Sequence, residues 1–221
     1  MMPLTVQTIC AAVGGTVLQS SGAAVRDVTT DSRRVPQEAL FIPLVGERFD
    51  GHAYIEKALE AGAAGCLTAK TPEALLPGKF YIQVPDTRLA LKALAAWYRG
   101  QFRLPVVQVT GSVGKTTTKD LLSSLLATVG PTVAPVGSFN NEIGLPLTAL
   151  RVDEHTRFFV AEMGASHIGE IARLTRIAPP NTAIVLKVGV AHLGEFGSRE
   201  RIAQAKSEIV QGLLPGGTAV L

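Results

Sequence analysis

Between Val106 and Thr118 the chain reads VVQVTGSVGKTTT, and the types and spacing of Gly111, Gly114, Lys115 and Thr116 suit one task, the holding of phosphate oxygens. Two glycines let the backbone turn tightly and aim its N–H groups at an anion. The lysine reaches the outer phosphates, and a threonine hydroxyl can hold Mg²⁺ at the positive end of the helix that follows. The pattern is Gly-x-x-Gly-Lys-Thr; Val109 stands where the longer phosphate-loop pattern has its first glycine. A glycine-rich turn that merely caps a helix is the plain alternative. The order of β-branched run, Gly-Lys-Thr and apolar-periodic helix (Asp120 to Thr128) speaks against it, and the chain is expected to bind a nucleoside triphosphate.

Three further groups of residues could do chemistry. In FFVAEMGASH, Phe158 to His167, an apolar run delivers Glu162 to the carboxyl edge of a sheet, where a carboxylate opposite Thr116 can take a metal ion. In IVLKVGVAHLGEFG, Ile184 to Gly197, a strand runs into a glycine-rich loop bearing His192 and Glu195. His192 can bind a cation, although a lone loop histidine is equally at home as a polar surface residue. In RIAQAKSEIV, Arg201 to Val210, Lys206 sits among small and apolar neighbours; a helical lysine ordinarily lies on a solvated face.

The elements that must position these residues fall into two series. The first holds a helix over Leu4 to Val13, a strand over Ala39 to Val45, an amphipathic helix over His52 to Ala61, strands over Gly62 to Ala69 and Phe80 to Val84, and a helix over Thr87 to Arg99. After Gly100 to Pro105 come four short apolar runs, Val106 to Thr110, Thr132 to Val136, Arg157 to Glu162 and Thr182 to Val188. Helix-length segments separate them, the pattern of a parallel sheet with crossover helices. The expected fold class is α/β, with a small N-terminal α/β domain over residues 1–102 and the first part of a phosphate-loop, mostly parallel-sheet domain over residues 103–221.

Composition narrows the partners. With 221 residues, 47% hydrophobic, the chain can bury one or two ordinary cores. A net charge of +3 suits an anionic small substrate, but the basic residues are scattered and aromatics are only 5%, so neither a basic stripe nor a stacking platform for nucleic acid stands out. Cys10 and Cys66, far apart, read as free thiols of a reducing compartment. No apolar run approaches membrane-spanning length and the N-terminus lacks a basic n-region, so a cytoplasmic location without membrane insertion is expected. LLPGGTAVL, Leu213 to Leu221, reads as a turn followed by the first residues of a strand, which suggests a piece of a longer protein.

Five blocks together resemble the Mur ligases: GSVGKTTTKDLL, GSFNNEIGLPLTAL (Gly137 to Leu150), AEMGASHIGEIARLT (Ala161 to Thr175), GVAHLGEFGS (Gly189 to Ser198) and QAKSEI (Gln204 to Ile209). TTDSRRV, Thr29 to Val35, followed by LFIPLVGERFDGHAYIEKALEAGAAG, resembles the domain with which members of that family hold a UDP-sugar substrate. Asn-Asn-x-Ile-Gly and Glu-Met-Gly-Ala-Ser favour the branch that joins D-alanyl-D-alanine to UDP-N-acetylmuramoyl-tripeptide.

The resemblance implies roles for particular residues. Lys115, with the loop residues Gly111, Ser112, Val113, Gly114, Thr116 and Thr117, would cradle the phosphates of ATP. Thr116 and Glu162 would hold one Mg²⁺ and His192 would help to hold a second. Lys206 falls where relatives carry a carbamylated lysine, so that Lys115, Glu162, His192 and Lys206 form the implied catalytic set. Asn140 and Asn141 would line the site, and Asp31, Ser32 and Arg33 with Gly46, Glu47, Arg48 and Phe49 would contact the uridine nucleotide. The implied reaction is amide-bond formation through an acyl phosphate, in peptidoglycan precursor synthesis, by a monomer. Relatives carry a longer central domain and a third domain that binds the dipeptide, so little ligase activity is expected of these 221 residues alone. Two readings from other classes remain open at this level: a non-catalytic module that captures a UDP-sugar peptide, and a generic phosphate-loop NTPase.

Overall fold

Helix α1 (Val6–Val13) starts one residue after Thr5, whose hydroxyl accepts the Thr8 amide, and stops at Gly14, which adopts the left-handed conformation (φ 63°) and donates back to Cys10 O. Leu4, expected to be helical, instead pairs with Val25 in an isolated antiparallel bridge. The computed structural model describes residues 1–189 and 193–221, which divide into two units, Met1–Trp97 and Tyr98–Leu221.

The first unit is built on a five-stranded sheet: β1 (Thr16–Gln19), β2 (Asp27–Thr29), β3 (Ala39–Phe41), β4 (Gly65–Thr68) and β5 (Phe80–Gln83), ordered β1-β5-β4-β3-β2. All neighbours are parallel except β1, which runs antiparallel to β5. Strand β3 is shorter than the apolar run Ala39 to Val45. Ile42 still donates to Thr29 O, but Pro43 has no N–H with which to extend the ladder. The segment expected to be one helix over His52 to Ala61 begins as a 3₁₀ turn (Gly51–Tyr54), capped by Asp50, and only then becomes α2 (Ile55–Glu60). Phe41, Ala58, Leu59, Ala63, Cys66 and Tyr81 form the core between sheet and helix. Burial pushes the Cys66 thiol up to about 12, so it behaves as a small apolar side chain. Helix α3 (Thr87–Gly100) runs through the boundary between the units.

The second unit is wholly parallel. Its sheet, ordered β10-β9-β6-β8-β7, comprises β6 (Val106–Thr110), β7 (Thr132–Val133), β8 (Phe158–Glu162), β9 (Thr182–Val185) and β10 (Thr218–Val220). Its helices are α4 (Lys115–Ala127), α5 (Gly144–Ala149), α6 (Glu170–Thr175), α7 (Leu193–Phe196) and α8 (Arg199–Gln211). The central strand β6 is apolar and mostly buried, as a strand covered on both faces must be. Two strands are shorter than their apolar runs. Pro135 follows β7 closely, and β9 loses its regular partner where β6 turns away at Gly111, although Leu186 still donates to Thr110 O and Lys187 O accepts from the Ser112 amide. The α/β class with parallel-dominated sheets is what the periodicities predict. Among the described residues no helix is long and apolar enough to cross a membrane.

Candidate functional site

Strand β6 ends at Thr110, and the next four residues form the phosphate loop. Gly111 (φ 151°) and Gly114 (φ 84°) both occupy backbone conformations that a side chain would strain, and a Cβ on Gly111 would lie 2.7 Å from Leu186 Cβ. Ser112 is tied in place twice: its amide donates to Lys187 O (3.0 Å) and its hydroxyl accepts the Gly189 amide (2.9 Å). Val113 is exposed. Lys115, the first residue of α4, donates to Gly111 O (3.0 Å) across the mouth of the loop, and Thr117 lies exposed on the first turn. The free amides at the start of this 13-residue helix and the Lys115 side chain give the loop its positive character.

Glu162 is the hub of the site. It is the last residue of β8, paired in register with Val109 of β6, which sets it on the carboxyl edge of the sheet beside the loop. It is 1% exposed. One oxygen accepts from Thr116 Oγ1 (2.8 Å) and the other from Asn140 Nδ2 (2.7 Å). Both donors are neutral, so among the described residues a buried carboxylate sits here with no cationic side chain bonded to it, an arrangement that favours a bound cation. An all-oxygen donor set of Thr116 and Glu162 fits Mg²⁺, which usually keeps waters and substrate phosphates in its remaining positions. Among the described residues no group of three or more His, Cys, Asp or Glu side chains is arranged to hold a metal ion. Asn140 is itself held: its carbonyl accepts the Gly164 amide (2.9 Å). Asn141 turns the other way, its side chain accepting the amides of Ile143 and Gly144 at the start of α5.

Lys206 is buried, 3% exposed, on the inner side of α8 rather than on the solvated face that a helical lysine ordinarily takes. With Lys115, Asn140, Asn141, Gly164 and Glu170 it borders a cavity of about 390 Å³. Burial, with a smaller push from the Lys115 charge, brings its ammonium down from 10.5 to about 8, against the pull of Glu170 and Glu208. Glu170 and Glu208 carry no signal in the sequence. Glu170 accepts the amides of Ser166 and His167, and the buried Glu208 reaches from α8 to accept those of Gly169 and Ala172, capping α6 from outside. A third missed residue is Lys119, on α4 and 2% exposed. Of the implied metal ligands, His192 lies outside the described residues; Glu195 falls in α7.

In the first unit, the two segments expected to contact a uridine nucleotide follow the carboxyl ends of neighbouring parallel strands. Asp31, Ser32 and Arg33 come after β2, and Gly46 to Phe49 come after β3. Arg33, exposed, folds back on Asp31 in a two-pronged contact (2.8 and 2.9 Å) that lowers the Asp31 carboxyl to about 2. The second segment closes on itself: Gly46 donates to Phe49 O, and a Cβ on Gly46 would strike the Phe49 ring at 2.5 Å. Glu47, Arg48 and Phe49 are exposed. Behind them Asp50 meets His52 Nδ1 (2.6 Å) and Lys70 Nζ, while His52 Nε2 accepts the Ala69 amide (2.9 Å). Lys70 first, then the His52 amide and ring, hold the Asp50 carboxyl well below the usual carboxylate range.

A phosphate loop at the carboxyl edge of a wholly parallel sheet, with a carboxylate from the adjacent strand, defines the second unit as a phosphate-loop α/β protein. The family is narrower. Residues 109–221 match the Mur ligase middle domain and residues 24–99 the Mur ligase family catalytic domain; the chain belongs to the Mur ligase family. It is 43% identical over its whole length to the UDP-N-acetylmuramoyl-tripeptide--D-alanyl-D-alanine ligase of Bacillus subtilis, covering 49% of that protein. A crystal structure of MurF from Acinetobacter baumannii superposes with a TM-score of 0.93 at 38% identity, over 99% of this chain and 48% of that one. MurF ligase from Thermotoga maritima, in complex with ADP, superposes with 0.80 at 38% identity, over 88% and 45%. The chain thus spans about half the length of the relatives it matches.

Proposed function

We propose that the protein is an ATP-dependent amide ligase that joins D-alanyl-D-alanine to UDP-N-acetylmuramoyl-tripeptide, and that these 221 residues supply its UDP-substrate unit (1–102) and the nucleotide-binding part of its central domain (103–221). The observation that carries the reading is Glu162. A buried carboxylate bonded, among the described residues, to the neutral Thr116 and Asn140 side chains, beside the Lys115 loop, suits a cation that accompanies a nucleotide. The similarity to ligases of this activity, one of them bound to ADP, supports the substrates. In this reading Gly111 to Thr117 cradle the β- and γ-phosphates, and Thr116 and Glu162 hold one Mg²⁺. His192 contributes to a second, and Asn140 and Asn141 border the space for the incoming carboxylate. When bound, Mg²⁺ neutralises charge on the transferred phosphoryl group. Lys115 and the loop amides do the same work from the protein side, so two anions can meet. The tripeptide carboxylate attacks the γ-phosphorus, ADP leaves, and the dipeptide amine displaces phosphate from the acyl phosphate. No protein nucleophile is needed.

Lys206 is the residue for carbamylation. An amine must lose its proton to add CO₂, and the downward shift of this one makes that form accessible near neutral pH. Labelled bicarbonate would give a carbamate carbon resonance that Lys206→Met abolishes. Asp31, Ser32, Arg33, Gly46, Glu47, Arg48 and Phe49 contact the uridine nucleotide end of the substrate. The protein acts in the cytoplasm, as a monomer. Calorimetric titration with Mg·ADP and, separately, with UDP-N-acetylmuramoyl-tripeptide tests the whole assignment. Both should bind saturably, and Glu162→Gln should weaken Mg·ADP by roughly 10–100-fold while leaving the UDP ligand unaffected. Binding of Mg·ADP without the UDP ligand would point to a generic phosphate-loop NTPase; binding of the UDP ligand alone would point to a capture module.

A further inference from the structure

Asn140 reaches Glu162 from a stretch of chain that apolar packing hardly fixes. Strand β7 ends at Val133, and from there to Asn140 the backbone belongs to no helix or strand. Val136 and Phe139, the large apolar side chains of this stretch, are 68% and 57% exposed, and Gly137 and Ser138 are exposed as well. Pro135 is buried, but from Val136 to Phe139 side-chain burial contributes little to placing the amide that holds Glu162. Hydrogen bonds to the segment's backbone must do most of that placing.

Arg151 Nη1 donates to Ala134 O (3.2 Å) at the start of the segment, and the bonds nearer Asn140 come from Lys119. This residue lies one turn beyond Thr116 on α4, yet it is 2% exposed, and its ammonium donates to Pro135 O (3.0 Å), Gly137 O (3.1 Å) and Asp120 Oδ1. A lysine has three N–H donors, and here three acceptors take them. Two are backbone carbonyls of the irregular segment, and the second of these lies three residues before Asn140. The far end of the segment is held by the Gly164 amide on Asn140 O. A buried ammonium is expensive to desolvate unless fully bonded, and two of its bonds go to a strip of chain in which Pro135 is the one buried residue.

We infer that Lys119 is a positioning residue of the site: through Pro135 and Gly137 it sets the backbone that presents Asn140 to Glu162, and so governs the affinity for a Mg·nucleotide without touching it. The inference rests on the nucleotide-site reading for its effect on affinity, and on geometry alone for its effect on the segment. Removing the amine leaves two carbonyls unpaired, frees the strip and lets Asn140 drift from the carboxylate. No other side chain on α4 is bonded to both of these carbonyls among the described residues.

The test is a double-mutant cycle with a structural readout. Lys119→Met, Asn140→Ala and the double variant are compared with the parent chain for Mg·ADP affinity, and the Gly164 amide is followed by hydrogen exchange. Each single variant should weaken Mg·ADP by roughly 10–100-fold, the range for residues that orient a metal ligand. The double variant should be no weaker than Asn140→Ala, since Lys119 acts through Asn140. Gly164 should exchange faster in Lys119→Met while amides of β6 and β8 stay protected. Multiplying losses in the double variant, or an unchanged Gly164 amide, would overturn the inference. Should Lys119→Met fail to fold, Lys119→Gln, which keeps a donor in the same place, substitutes for it with a smaller loss expected in the same direction. If the parent chain does not bind Mg·ADP, the nucleotide reading of this chain fails, and the Gly164 exchange rates still decide whether Lys119 sets the segment.

Discussion

Replacing Lys206 by methionine should stabilise the second unit at neutral pH, and the gain should vanish at high pH. In the folded chain the ammonium sits at about 8, against 10.5 when unfolded, because burial and the neighbouring Lys115 disfavour the charged form. Below pH 8 both states are protonated, and the buried charge lowers the stability of the parent by about 3 kcal/mol, the free energy equivalent of that difference in proton affinity. Between pH 8 and 10.5 the unfolded chain still binds the proton that the folded chain has released, so parent stability rises with pH. Above 10.5 both states are neutral and the penalty is gone. Methionine fills nearly the same volume without the charge. Lys206→Met should therefore exceed the parent by up to about 3 kcal/mol at pH 7, with the margin closing across pH 8 to 10.5. Urea denaturation followed by circular dichroism at pH 7, 9 and 10.5, in buffers stripped of CO₂ so that the amine stays unmodified, measures the margin directly. Other titrating groups are common to both proteins and cancel in the comparison. A margin that stays constant with pH, or a variant less stable than the parent at pH 7, would refute the account of Lys206 as an amine whose charge is disfavoured by burial.

Two further predictions concern the supports of each unit. A Cβ on Gly164 would lie 2.7 Å from Asn140 Oδ1, so Gly164→Ala should move the asparagine off Glu162 and weaken Mg·ADP while the chain stays folded; unchanged affinity would show that Asn140 does not need its present seat. His52→Ala removes the acceptor of the Ala69 amide and a partner of Asp50. A destabilisation of about 1 kcal/mol is expected from the partly buried Ala69 amide left without its acceptor, measured as a lower denaturation midpoint, and a shift near zero would mean that water replaces the imidazole.

The parts of the site that were legible in the sequence are those whose chemistry is encoded by close spacing. Gly111, Gly114, Lys115 and Thr116 lie within six residues, and the strand before them and the helix after them are strongly periodic. Glu162 was legible because an apolar run ends on it. Lys119, Glu170 and Glu208 were not, since charged residues on helices give no outward sign of pointing inward. The roles of Lys119 and Glu208 arise only when α4 and α8 meet segments 16 to 39 residues away, and Glu170 turns back on amides three and four residues before it. Strands β1 and β2 escaped notice for a related reason: both are short and lie at the edges of their sheet, β1 with no buried residue and β2 with Val28 alone buried, so no apolar run marks them. Prolines 43 and 135 explain why two predicted strands were too long.

The pairing of Val109 with Glu162 has a consequence for how such a site can change over time. The loop and the carboxylate are carried by adjacent parallel strands, whose separation is fixed by backbone hydrogen bonds at about 4.8 Å. Residues between the elements can be added or lost without altering that spacing. A single residue inserted within Phe158–Glu162 is a different matter, because alternate side chains of a strand face opposite ways. The carboxylate would swing to the far face of the sheet and the Thr116 hydroxyl would be left facing an apolar residue. The ladder thus acts as a reading frame for the site, tolerant of substitution along its length and intolerant of a one-residue shift.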